Sequence, residues 1–96
     1  MSRPLIETFL FDEENEGKII SHGLSVQQIV QVLDHLKIIV SNRKGRRGLF
    51  LLIGRDASGH CISIPIEKTN INGVWRPITA WPCKKGEETT LEKNER

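Results

Sequence analysis

The feature that most constrains this chain is a change of apolar spacing near residue 37, from the period of a helix to the period of a strand. Upstream of it, Ser25-Val26-Gln27-Gln28 reads as a capping box: the serine side chain satisfies a first-turn amide and Gln28 reaches back to the cap. Leu24 and Ile29 occupy the positions of a hydrophobic staple, and Val26, Ile29, Val30, Leu33 and Leu36 recur at about 3.6 residues, predicting one buried helix face. Downstream, Lys37-Ile38-Ile39-Val40-Ser41 is short and β-branched, and Leu49 to Gly54 is a continuous apolar run of the kind found in a central strand. Ile62, Ile64 and Ile66 then alternate with Ser63, Pro65 and Glu67, so that strand should bury one face. With 96 residues there is room for a single modest core. The expectation is one α+β domain with an ordered core over about residues 9–90. It would have a small antiparallel sheet of about four strands plus a short N-terminal strand, packed on two N-terminal helices, with a C-terminal helix.

The remaining segments fit that frame. Phe9-Leu10-Phe11 reads as a brief strand, after which Asp12 can cap a helix whose first turn carries Glu13 and Glu14, where the helix dipole favours negative charge. Gly17 weakens that helix, and Gly23 is a natural left-handed stop that leaves His22 at the negative end. Turns are expected at Asp56-Ala57-Ser58-Gly59 and Asn70-Ile71-Asn72-Gly73, and Asn42 to Gly48 is a basic loop. Val74 to Trp81 reads as the last strand. Pro65 and Pro77 cannot both be explained by one edge strand, so a bulge or broken pairing is expected there. The polar tail from Lys84 should be helical and fray towards Arg96.

Charge is distributed unevenly. Residues 1–16 carry net −4, residues 17–86 carry eleven bases and three acids for net +8, and residues 87–96 carry net −2. A basic centre attracts polyanions, of which nucleic acid is the commonest. No apolar run approaches the roughly 20 residues of a membrane span, and the acidic N-terminal stretch does not resemble a secretory signal. Cys61 and Cys83 form no CxxC pair and are read as reduced thiols, consistent with the cytoplasm, with a single disulfide as the alternative. Neither a zinc site nor a Cys–His nucleophile is indicated, because His60 and Cys61 are adjacent and would point to opposite faces of a strand. No cofactor is expected.

Several short motifs then occur in a definite order: Phe11-Asp12-Glu13 with Asn15 and Lys18, His22-Gly23 with Ser25, Ile53-Gly54-Arg55, and Arg76-Pro77-Ile78-Thr79-Ala80. In order and spacing, from about Phe9 to Lys93, they resemble the BrnT-like toxin family. The resemblance implies a fold similar to RelE-type ribonucleases, metal-independent cleavage of RNA, a ribbon-helix-helix antitoxin as partner, and autoregulation of transcription by the complex. Two positions depart from the family pattern. Trp81 stands where an arginine is usual, and Leu91 where a tyrosine is usual; Glu87 and Glu92 match acidic positions.

Metal-free RNA cleavage needs a base for the 2′-hydroxyl, an acid for the leaving oxygen and cations for the phosphorane. His22 is the best titrating candidate, with Lys18 one helical turn earlier, and Arg55 and Arg76 could grip phosphate bidentately. Arg43, Lys44, Arg46 and Arg47 form a basic loop that could follow an RNA backbone, and Trp81 could stack on a base. Each has a plainer role: His22 as a dipole complement, Lys18 and the basic loop as solvated charge, Arg55 as a strand end paired with Asp56 or an acidic helix, and the tryptophans as packing. The expected function is a toxin endoribonuclease acting on RNA, free or on the ribosome. The alternative is a non-catalytic RNA-binding or protein-interaction module of the same fold, with Trp81 and Leu91 in place of the usual arginine and tyrosine.

Overall fold

The computed structural model describes residues 4–43, 45 and 47–95; Lys44 and Arg46 of the basic loop lie outside the described residues. The chain runs β1 (Thr8–Phe9), α1 (Glu13–Ser21), α2 (Val26–Val32), β2 (Lys37–Ser41), β3 (Phe50–Arg55), β4 (Cys61–Lys68), β5 (Val74–Pro77), β6 (Trp81–Pro82) and α3 (Lys85–Glu95). The protein is α+β, as its spacing predicts.

Both N-terminal helices start where side chains replace missing helical partners. The Asp12 carboxylate accepts from the Asn15 amide at 2.9 Å, and Asn15 Oδ1 accepts from the Asp12 amide at 2.8 Å, closing a capping box. Ser25 and Gln28 form the second box. Helix α1 stops at His22, and Gly23 follows with φ +79°, a conformation that costs glycine little. Asn15 is fully buried, and its Nδ2 donates to the carbonyls of Leu10 and Pro77, which ties the start of α1 to the end of β5.

The sheet order is β1-β5-β4-β3-β2, with β6 pairing β4 beside β5. It is mixed rather than purely antiparallel, because β1 runs parallel to β5 through Thr8↔Val74 and Phe9↔Trp75. Side chains alternate across it. Leu52, Ile62, Ile64 and Ile66 join Ile19, Ile29 and Val32 of α1 and α2, while Leu51 and Ile53 point to the opposite face and meet Leu91 of α3. Strand β3 is thus buried on both faces, which explains its unbroken apolar run. Gly54 is required by packing: a Cβ there would stand 2.7 Å from Val32 Cγ1 and 3.0 Å from Lys37 Cβ, so only glycine lets the end of α2 approach β3 this closely.

Three expectations are corrected. The helical period over residues 26–36 outlasts the helix, which ends at Val32; Val30 and Leu36 are exposed, and Ile29 and Val32 carry the buried face. The segment from Val74 to Trp81 is two strands, not one. Here β5 pairs with β4 at Ile66–Lys68 and β6 pairs with it at Ile62–Ser63, leaving the bulge that the two prolines demanded. Cys61 and Cys83 are joined in a disulfide rather than being two thiols. The β4–β6 register sets them opposite one another with Cα atoms 5.3 Å apart. Among the described residues no helix is long and apolar enough to cross a membrane.

Candidate nucleic-acid interface

The bulge between β5 and β6 opens a cleft of about 480 Å³. Its floor is apolar, made by Pro65, Ile78, Trp81 and Pro82, with Thr79 beside them. Three basic or titratable side chains from separate segments reach it: His22 from the end of α1, Arg47 from the turn before β3, and Lys84 from the start of α3. Trp81 is positioned by its indole N–H, which donates to Glu87 Oε1 at 3.0 Å, and Lys84 Nζ lies 5.8 Å from its ring centroid. The same Glu87 oxygen accepts from the Lys84 amide at 2.8 Å, so one carboxylate orients both the aromatic and the cationic wall. An apolar shelf flanked by cations suits a nucleotide, whose base is flat and apolar and whose phosphate is charged.

Of the residues selected from sequence, the structure therefore brings His22, Arg47 and Trp81 together. Lys18 stands exposed one turn before His22 without lining the cleft, and its charge helps to lower the pKa of Glu14, after the larger effect of a hydrogen bond from Arg76. Arg43 borders a neighbouring cleft.

Arg76 is committed elsewhere. Its guanidinium donates to Asp12 at 2.7 and 3.1 Å, to Glu14 at 2.9 Å and to Glu67 at 2.9 Å, and only 14% of its side chain is exposed. Arg47 shares two of these acids, reaching Glu67 at 3.3 Å and Glu14 at 3.6 Å. The hydrogen bond from Arg76, followed by that from the Asn15 amide, holds Asp12 at about 2, below its usual 3.8. The hydrogen bond to Asp12 in turn raises Arg76, against the opposing effect of burial. Arg76 is thus a clamp between α1, β4 and β5.

Arg55 lies at the opposite end of β3 from Arg47, about 16 Å along the strand from Phe50 at roughly 3.3 Å per residue. It grips Glu95 of α3 at 2.7 and 3.0 Å and donates to the Gly59 carbonyl at 3.0 Å. Beside it, Asp56 is buried. Burial would raise its pKa, but hydrogen bonds from Gln28, the His60 amide and ring, and the Ser58 amide hold it at about 2. That corner is a structural hub.

The charge pattern along the sequence therefore overstates the field at the surface. The acidic N-terminal stretch folds back onto Arg76 and Arg47, and the acidic tail onto Arg55. Lys84 was not singled out by sequence; its spacing of three residues from Trp81 was the available signal. No protein-family profile matches the chain, and no characterised protein matches it significantly.

Proposed function

We propose that this protein acts on RNA as the toxin half of a toxin–antitoxin pair, taking a single strand into the cleft between His22, Arg47 and Lys84. The observation that carries the reading is the convergence of these three side chains from separate segments on one apolar shelf. A base lies against Trp81, Pro82 and Ile78, and Arg47 and Lys84 face the phosphate. His22 accepts the proton of the 2′-hydroxyl as that oxygen attacks the adjacent phosphorus. The P–O5′ bond then breaks, and the proton taken up by His22 passes through water to the leaving oxygen, giving a 2′,3′-cyclic phosphate and a 5′-hydroxyl. A ribbon-helix-helix antitoxin would be the protein partner.

The test is purified protein incubated with RNA, alone and with translating ribosomes. Cuts should appear and should fall by about 10²–10⁴-fold in His22→Ala, the usual range for one general acid–base group. No cutting in either setting would sink the proposal.

A second reading is non-catalytic RNA binding by the same cleft. It is favoured by the saturation of Arg76 by three carboxylates and of Arg55 by Glu95, which leaves the two arginines of the family motifs turned away from the shelf. It predicts salt-sensitive binding with the RNA left whole.

A further inference from the structure

A second cleft, of about 420 Å³, lies between β2, β3 and the start of α3. Its apolar wall is Val40, Leu51 and Ile53, and its basic residues are Arg43 and Lys84. Lys84 also lines the His22 cleft, so the two cavities share one cationic side chain.

The pairing of charges separates these cations from the rest. Arg47, Arg55 and Arg76 each hold a carboxylate, and an anion must compete with that carboxylate to bind them. Among the described residues no carboxylate forms an ion pair with Arg43 or Lys84, and both side chains are exposed. The acid that lines this cleft, Glu87, already accepts from the Trp81 indole and the Lys84 amide.

We propose that the second cleft is a further nucleotide subsite on the same RNA track. Lys84 contacts the phosphate between the two cavities, Arg43 contacts the next phosphate, and a second base lies against Val40, Leu51 and Ile53. The inference rests on the RNA reading of the His22 cleft and adds to it a minimum substrate. A strand must extend beyond the first shelf to be held fully, so dinucleotides bind weakly and longer single strands bind well.

The experiment measures binding of 2′-O-methyl oligouridylates of two and eight nucleotides by fluorescence anisotropy, over a range of salt. The methyl group blocks cleavage, so only binding is read. Arg43→Ala should weaken the octanucleotide on the order of fivefold and reduce its log–log salt slope by about 0.7, the value of one phosphate contact on a single strand. It should leave the dinucleotide unchanged, whereas Lys84→Ala should weaken both. Arg43→Lys should restore the salt slope. Arg43 is exposed, and a thermal melt matching the wild type confirms that the variant is folded. If Arg43→Ala leaves the octanucleotide and its slope untouched while Arg47→Ala weakens it, the second subsite is overturned and the first stands. If neither oligonucleotide binds the wild type at low salt, both fall together.

Discussion

Replacing Arg76 by methionine separates a structural clamp from a phosphate-binding group. The substitution keeps the length of the side chain and removes its charge. It leaves Glu67 and Glu14 to Arg47 alone, at 3.3 and 3.6 Å, and takes from Asp12 the guanidinium it pairs with. Breaking a buried ion pair by removing one partner costs roughly 3–5 kcal/mol, and exposed pairs contribute about 0–1. Arg76 is 14% exposed, but Asp12 and Glu14 are 44% and 57% exposed, so solvent screens much of the interaction. A cost of about 2 kcal/mol follows from a position between those limits. For a domain of this size each kcal/mol moves Tm by roughly 4–8 °C, so the melt should fall by about 8–16 °C. Circular dichroism at pH 7 and low salt measures it directly. The pH dependence gives an independent reading. Asp12 has a folded pKa of about 2 against 3.8 in the unfolded chain. Its contribution is therefore present above about pH 4 and is lost as pH falls towards 2. Arg76→Met removes the cause of that depression, so the gap in Tm between variant and wild type should narrow over the same window. An unchanged Tm at pH 7, together with lost RNA binding, would refute the clamp and return Arg76 to the site.

Three other perturbations test the framework around the cleft. Asp56→Asn should cost roughly 2–3 kcal/mol at pH 7, because the hydrogen bonds that hold the carboxylate at about 2, against 3.8 in the unfolded chain, are made to its charged form. Because the folded pKa lies below the unfolded one, urea titrations should show the difference from wild type shrinking between about pH 4 and pH 2. Leu91→Ala empties a fully buried position between α3 and β3 and should cost about 3 kcal/mol by urea denaturation, within the range for such truncations. Cys83→Ser, or reduction of the wild type, opens a link spanning 22 residues and should cost about 3 kcal/mol on a chain-entropy estimate, with the reduced wild type and the variant melting together.

What was legible in the sequence was local. The N-caps at Asp12 and Ser25, the stop at Gly23, the doubly buried run of β3 and the alternation of β4 all depend on residues within a few positions of each other, and spacing alone specifies them. The misread stretch from Val26 to Leu36 shows the limit of periodicity: Val30 and Leu36 continue a helical pattern, but a helix ends where its backbone partners end. His22, Arg47 and Trp81 were recognisable as candidates because side-chain chemistry travels with residue identity.

The tertiary structure decided which of those candidates meet. Arg76 was as attractive in the sequence as His22, yet it faces three carboxylates, one of them 64 positions away. The Cys61–Cys83 link, the seating of Leu91 and the sharing of Lys84 between two clefts all follow from the β4–β6 register and the docking of α3. Charge runs along a chain add as a list, but electrostatic energy depends on distance in space. That is why a +8 centre became a few carboxylate clamps and two clefts that share Lys84, and why only the folded protein could show the difference.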